Sequence, residues 1–220
     1  MTMMQRYSLV VFDWDGTLVD SAAHIVASIR AAARAMDLPV PSDGDARHII
    51  GLGLIDAMEY LFPGLDANQY PVVAEHYRIH YMAGEAVVKL FEGVEDGLAR
   101  LKDKGHLVAV ATGKSRRGLD RALRDTGLAR YFDATRCGDE GFPKPHPDML
   151  EFLFDELGVE RSAAVMVGDT THDLEMARAA RIDSVAVSYG AHDPSALRAA
   201  RPTAFVDTPS ELWQWLDRNA

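Results

Sequence analysis

A single cysteine, Cys137, stands in 220 residues, so no internal disulfide framework is available and a reducing compartment suits the chain. Basic clusters are scarce. None exceeds Arg116-Arg117, and 23 Lys and Arg against 33 Asp and Glu leave a formal net charge of −10. A duplex-coating protein needs at least one basic face to displace counterions from phosphates, so nucleic acid is not an expected partner. Long apolar runs are missing too. The longest span five residues, Leu107 to Ala111 and Ala163 to Val167, well short of the roughly 18 needed to cross a bilayer. Met1 to Arg6 leads straight into a strand-like stretch with no signal-peptide core. No G-x-S-x-G nucleophile elbow occurs. The expectation is a soluble cytoplasmic protein, monomer or homodimer, acting on a small molecule and touching neither membrane nor nucleic acid.

Short β-branched runs alternate with longer amphipathic stretches, the pattern of βαβ units around a parallel sheet. Strands are predicted at Leu9–Phe12, Leu107–Ala111, Ala134–Arg136, Ala164–Val167, Ser184–Val187 and Ala204–Val206. The first, second and fourth are continuously apolar, as strands buried on both faces should be. Helical periodicity fills the gaps. Ile25, Ile29, Ala33 and Met36 share a face behind Ser21 as N-cap, and Arg116 to Thr126 and Pro147 to Leu157 end at Gly127 and Gly158. Two further helices are read at Leu174 to Ala180 and Glu211 to Leu216. From Asp20 to Val87 no strand is predicted. A helical stretch of that length is too long for an ordinary crossover and reads as an insertion. The expected fold is therefore α/β: a Rossmann-like parallel core over residues 1–19 and 88–220, with an α-helical cap over 20–87.

The strongest chemical signal is Val11-Phe-Asp13-Trp-Asp15-Gly-Thr17. Residues i and i+2 of a strand face one side, so two carboxylates crowd the C-terminal end of an apolar strand, where open α/β sheets bind ligands. Like charges that close need a cation or a shared proton. An EF-hand loop also begins D-x-D, but it requires Gly at position six and Glu at twelve. Here Gly16 is fourth and His24 twelfth, which excludes it. A second acidic pair follows another apolar strand as Gly168-Asp169-Thr-Thr-His-Asp173, with Asp173 one helical turn beyond Asp169. A helix N-terminus favours one acid by its dipole, but accounts poorly for a matched pair. Four carboxylates from two strand ends point to a hard divalent cation with oxygen ligands, Mg²⁺ above all.

Two more elements complete a pocket: Thr112-Gly113 after an apolar strand, and Lys144 between prolines in Phe142-Pro-Lys-Pro-His-Pro147. Alone, each is an ordinary strand cap or loop lysine. In this order, with the acidic pairs, the chain resembles the haloacid dehalogenase-like hydrolase superfamily across all four of its motifs. Asp13-Trp-Asp-Gly-Thr-Leu-Val-Asp-Ser21 and Lys144-Pro-His-Pro147 are most similar to the phosphoglycolate phosphatase-like branch, and the insertion resembles its α-helical cap. One departure lies at Ala180-Arg181-Ile182, where relatives often place glycine; it affects a helix end and leaves the pocket intact.

The resemblance implies roles that chemistry supports. Asp13 would attack phosphorus and form an aspartyl-phosphate. Asp15 would serve as general acid and then base. Thr112, Gly113 and Lys144 would hold phosphoryl oxygens. Asp13, Asp169 and the carbonyl of Asp15 would bind Mg²⁺, with Asp173 a ligand or a support. Four carboxylates and one lysine leave the site at −3, and one Mg²⁺ brings it to −1. Without a metal an anionic ester is repelled. The expected activity is Mg²⁺-dependent hydrolysis of a small phosphomonoester, phosphoglycolate-like or a sugar phosphate.

Weaker features carry ordinary readings beside functional ones. Gly51-Leu-Gly53 lacks the third glycine and preceding strand of a dinucleotide loop and reads as a cap hinge or substrate-facing loop, with Arg47 a candidate substrate contact. His76 and His80 share a helical face without a third ligand. His172 is either a pocket residue or a solvated loop histidine, and Lys114-Ser115 either touches the site or starts a helix. Tyr77 and Tyr81 read as cap core. Two rivals share the scaffold or the chemistry. A phosphosugar mutase would return the phosphoryl group to a sugar, and a phospho-accepting signalling domain also combines acids, Thr and Lys. The signalling domain is disfavoured by length and by Asp-x-Asp on the first strand. A dehalogenase is disfavoured because Asp15 is present.

Overall fold

The computed structural model describes residues 6–84 and 88–220. Met1 to Gln5, read above for a leader, and the expected cap boundary at Val87 lie outside the described residues. Six parallel strands form the main sheet: β1 (Leu9–Phe12), β4 (Leu107–Thr112), β5 (Ala134–Cys137), β6 (Ala164–Gly168), β7 (Asp183–Val187) and β8 (Ala204–Val206), in the order β5-β4-β1-β6-β7-β8. Counted along this sheet alone, that is the 3-2-1-4-5-6 order of a doubly wound Rossmann-like sheet. β1 is central, with Phe12 level with Val110 of β4 on one side and Val167 of β6 on the other. The order reverses across β1, so the crevice for ligands opens at the C-terminal ends of β1, β4 and β6.

Alternation along β1 assigns each residue to a layer. Val10 and Phe12 join Val110, Leu98, Leu101, Leu119 and Trp213, under α5 (Val94–Asp103), α6 (Arg116–Thr126) and α10 (Pro209–Asn219). Leu9 and Val11 join Ala111, Leu150, Met166 and Met176, under α7 (Asp148–Leu157) and α8 (Thr171–Ala180). All four β1 residues are fully buried, which is why the strand reads as an uninterrupted apolar run. A short α9 (Pro194–Ala199), N-capped by Asp193, was not predicted.

Between β1 and β4 lie α1 (Ala22–Ala35), α2 (Asp43–His48), α3 (Leu54–Leu61) and α4 (Tyr70–Gly84). They pack round their own apolar cluster, which includes Ile25, Ile29, Ile50, Met58 and Val73. Where no strand was predicted, β2 (Val19–Asp20) pairs antiparallel with β3 (Lys89–Leu90), tying the entrance of the insertion to its exit. Two-residue strands carry no periodicity to read. Among the described residues no helix is long and apolar enough to cross a membrane.

Candidate active site

The Asp13 backbone N–H donates to the Val167 carbonyl at 2.9 Å, so pairing with β6 runs one residue past β1 and pins the aspartate at the C-terminal end of the central strand. Its carboxylate is buried. One oxygen, Oδ1, accepts from Lys144 Nζ at 2.7 Å, while Oδ2 has no hydrogen-bond partner. A buried orphan carboxylate oxygen is costly unless something absent from the chain meets it. Burial, and secondarily the carboxylates of Asp173 and Asp15, push Asp13 up to about 7 against the opposing pull of Lys144.

Asp169 follows β6. Thr17 Oγ1 donates to its Oδ1 at 2.8 Å and the Ala191 N–H to its Oδ2 at 2.7 Å. Burial, then Asp13 and Asp173, hold it well above the usual carboxylate range. Gly16 makes this possible. It sits at φ +80°, and a Cβ there would lie 2.1 Å from Asp169 Oδ2, so any side chain would displace the carboxylate.

Asp173 has a different surrounding. It closes a capping box at the start of α8, its Oδ2 accepting from the Thr170 N–H and Oγ1 at 3.0 and 2.7 Å. Its Oδ1 accepts from Lys144 Nζ at 2.7 Å. Ligand atoms of Asp13, Asp169 and Asp173 lie within 4.8 Å of one another, but both Asp173 oxygens are engaged. Both Asp169 oxygens are engaged as well, so among these three acids the oxygen left without a partner is Asp13 Oδ2. That donor set, hard oxygens with one bare and buried, fits a hard divalent cation. Lys144 itself has no exposed side-chain surface. Burial opposes its charge, but Asp13 and Asp173 outweigh it and hold the ammonium firmly protonated.

On the other flank, Asp15 accepts from Ser21 Oγ at 2.7 Å and from Lys114 Nζ at 3.1 and 3.0 Å. Ser21 does occupy the N-cap position of α1, yet its hydroxyl serves Asp15 instead of the helix. Lys114 also donates to Tyr81 Oη at 3.2 Å, from α4 of the insertion. Burial works against this ammonium; Asp15, Tyr81 and Tyr77 outweigh it and raise its pKa. With Lys114 added, four carboxylates face two ammoniums, which corrects the sequence-based site charge from −3 to −2. Thr112 is buried at the end of β4, its Oγ1 accepting from the Lys114 N–H at 3.2 Å. Ser115 caps α6, the plain reading of that position.

Asp13, Asp15, Thr112, Gly113 and Lys114 line a cavity of about 840 Å³ whose other walls come from α1, the α2–α3 loop, α3 and α4. The Gly51–Gly53 loop closes over Gly113, where a Cβ would lie 2.4 Å from the Leu52 carbonyl oxygen. Tyr77 and Tyr81, expected as cap core, belong to the insertion's cluster and also face the cavity. Arg117, Arg121 and Arg124 sit along one face of α6 at its rim. Arg47 is not brought to the site. It pairs with Asp43 one turn back on α2, Nε to Oδ2 at 3.0 Å, away from the cavity lining.

His172 is neither solvated nor in the pocket. Its Nε2–H donates to the His48 carbonyl at 2.7 Å, and His192 Nε2–H donates to the same oxygen at 3.0 Å. His192 Nδ1 accepts from the Thr171 N–H at 3.1 Å, so both its nitrogens are used. The three histidines have ligand atoms within 4.8 Å of one another, but this bonding makes them a clamp on the end of α2. Burial lowers both His172 and His192, the latter to about 4, which keeps the clamp neutral. His76 and His80 join no metal-ligating group among the described residues.

A family model described as haloacid dehalogenase-like hydrolase matches residues 10–187. The chain belongs to that family. "Probable phosphatase IndB" of Dickeya dadantii is 37% identical over 93% of this chain and 91% of its own length. A phosphoglycolate phosphatase of Agrobacterium fabrum is 32% identical over 88% and 85%, in keeping with the phosphoglycolate phosphatase-like branch of this haloacid dehalogenase-like family. Tyrosine-protein kinase PtkA of Mycobacterium tuberculosis is 37% identical over 83% of this chain, but over only 62% of its own length. The fold matches a crystal structure of a hydrolase from Pseudomonas syringae with a TM-score of 0.87, at 21% identity, covering 97% of this chain and 99% of that one.

Proposed function

We propose that this hydrolase is a Mg²⁺-dependent phosphatase of phosphomonoesters that works through an aspartyl-phosphate on Asp13. The carrying observation is the Asp13 carboxylate, a residue of the cavity lining with one oxygen held by Lys144 and the other buried without a partner. Two oxygens provide for two tasks, attack on phosphorus and a share in holding a cation. The names of the relatives IndB and the phosphoglycolate phosphatase support the same reading.

In the first step an Asp13 oxygen forms a bond to phosphorus as the bond to the ester oxygen breaks. Asp15 gives its proton to the departing oxygen. Lys144 and the Thr112 hydroxyl stand ready to donate to the phosphoryl oxygens, over which transition-state charge is spread. In the second step Asp15 takes a proton from water, whose oxygen displaces Asp13 from phosphorus and releases inorganic phosphate. Asp13 and Asp169 would hold Mg²⁺, which supplies positive charge beside the phosphoryl group. Asp173 fixes Lys144. Residues 20–87 act as the cap, bringing Tyr81 to Lys114 and the Gly51–Gly53 loop over Gly113.

The test is phosphate release from a panel of phosphate esters by the full chain, with Mg²⁺ and with excess chelator. Turnover should vanish in chelator and return with Mg²⁺, with less from Ca²⁺, which tolerates looser coordination. Free phosphate should accumulate without a bisphosphate activator, separating hydrolysis from a mutase. Undiminished rates in chelator refute the metal requirement.

A further inference from the structure

Between α2 and α3 the chain turns through residues 49–53, and this short loop rests on three of the segments that carry the site. A Cβ on Gly51 would lie 3.1 Å from Thr170 Oγ1, one on Gly53 3.0 Å from Pro143 Cβ, and one on Gly113 2.4 Å from the Leu52 carbonyl oxygen. Thr170 follows Asp169, Pro143 precedes Lys144 and Gly113 follows Thr112. The loop therefore lies against the chain neighbours of three site residues, while half-buried Gly51 and Leu52 line the cavity. Its own backbone bonds are local. The Ile50 N–H donates to the Arg47 carbonyl at 3.1 Å and the Leu52 N–H to that of Ile49 at 3.2 Å, and neither bond reaches the core.

The tie to the core comes one residue earlier, at His48. Its carbonyl stands at the end of α2, where a helix has no donor of its own to offer. It accepts from His172 Nε2–H at 2.7 Å and from His192 Nε2–H at 3.0 Å, so both lone pairs are used. His172 belongs to α8 and His192 lies between β7 and α9, so two separate core segments meet at one oxygen of the insertion. The His48 ring stacks on His192 with centroids 5.4 Å apart and meets His172 edge-on at 5.1 Å, packing that orients both donors.

We infer that His172 and His192 are positioning residues for the reaction: through the His48 carbonyl they seat residues 49–53 against Thr170, Pro143 and Gly113, over the reacting end of the cavity. The kinetic consequence rests on the phosphatase reading above; the docking does not. Without the donors the loop opens, and an ester must use part of its binding free energy to draw the loop back. Apparent affinity then falls with the docked fraction, while the rate at saturation is kept.

Two measurements on the full chain test this. Amide hydrogen exchange of residues 49–53, followed by mass spectrometry without ligand, reports the docking alone. His172→Leu, which removes one donor, should speed that exchange about 3- to 10-fold, the worth of one hydrogen bond. Adding His192→Leu, on a different segment, should bring the gain to about 10- to 100-fold, with the α8 amides from Leu174 onward unchanged. His172→Gln carries an N–H as many bonds from Cβ as imidazole Nε2 and should stay within about twofold of wild type. Kinetics with Mg²⁺ on the ester panel then reads the consequence. In the double variant KM should rise at least about fivefold with kcat nearly unchanged, and His172→Gln should keep the wild-type KM. Unchanged loop exchange in the double variant overturns the inference, as does faster exchange spread equally along α8, which marks general loosening. Faster loop exchange with KM unchanged, or with the loss confined to kcat, overturns the positioning role. Faster loop exchange in a protein whose wild type releases no phosphate from any ester overturns the phosphatase reading and leaves the docking standing.

Discussion

Lys114 Nζ lies 3.1 and 3.0 Å from the two carboxylate oxygens of Asp15, a pair in which each side chain is 11% exposed. In the proposed mechanism Asp15 gives a proton in the first step and takes one from water in the second, with the Lys114 ammonium beside it. Because Lys114 also donates to Tyr81, the insertion and the acid–base residue are linked through one ammonium. Lys114→Met strands a nearly buried carboxylate and should cost about 3 kcal/mol, the low end for breaking a buried pair. Adding Asp15→Asn to Lys114→Met should restore most of that. Denaturant melts of the two singles and the double measure the coupling, and simple additivity would show that the contact contributes no net stability.

Asp13 sets a pH dependence. Its carboxyl is pushed up to about 7 in the folded chain, chiefly by burial, against about 3.9 in an unfolded one. A raised folded-state pKa gives stability that is complete below the unfolded value and is lost as pH rises through the folded value. The cation-free protein should therefore melt progressively lower between about pH 4 and 7 on account of this group. A divalent cation competes with the proton, so its stabilisation should grow over the same interval. Asp13→Asn removes the titrating group and should flatten the slope, while abolishing turnover by several decades. Equal slopes in wild type and variant, each measured in chelator, would assign the dependence elsewhere.

Much of this site was legible because the chemistry sits at strand ends. β1, β4 and β6 are buried on both faces, so each reads as an apolar run that stops at Asp13, Thr112 or Asp169. Three of the six sheet strands end one residue later than read and one starts a residue earlier, which moves no site residue. Less visible was anything depending on contacts between distant segments. Lys114 reads equally well as a helix start until Asp15, 99 positions away, is found beside it. Asp173 has the spacing of a metal ligand and does lie beside Asp13 and Asp169, but the spacing did not show that it also closes a capping box and holds Lys144. Thr17 was present in the first motif, but nothing in the spacing showed that its hydroxyl would orient Asp169. Arg47 shows the converse: a cation near a glycine loop in the sequence is paired along its own helix in the fold.

Arg117, Arg121 and Arg124 line the rim of a site in a protein of net charge −10. A local cationic face can offset the repulsion that an anionic ester meets from the rest of the molecule. Arg117 is exposed and makes no ion pair among the described residues. Arg117→Glu should lower kcat/KM at low salt by roughly 3- to 10-fold with kcat nearly unchanged, as expected of a change in steering. Raising ionic strength should then narrow the gap between variant and wild type, because the interaction is screened within about 8 Å at physiological salt. An effect confined to kcat would place Arg117 in the chemical step.

Asp15→Asn separates the two half-reactions. An alkyl phosphate departs as a strongly basic alkoxide and depends on a donated proton, so its first step should slow roughly 10²- to 10⁴-fold. A nitrophenyl phosphate departs as a stabilised phenoxide and needs little protonation, so Asp13 should still be phosphorylated readily. Hydrolysis of that intermediate requires a base to activate water, and the side-chain amide of this variant cannot supply one. Stopped-flow traces should show a burst of nitrophenol approaching one equivalent of enzyme, then slow turnover, with mass spectrometry locating the phosphoryl group on Asp13. Lys114 loses its carboxylate partner in this variant, so the burst is best read beside Asp15→Asn with Lys114→Met, where the stranded ammonium is absent. Equal losses on both substrates without a burst would point to a collapsed site, and no loss on either would remove Asp15 from proton transfer.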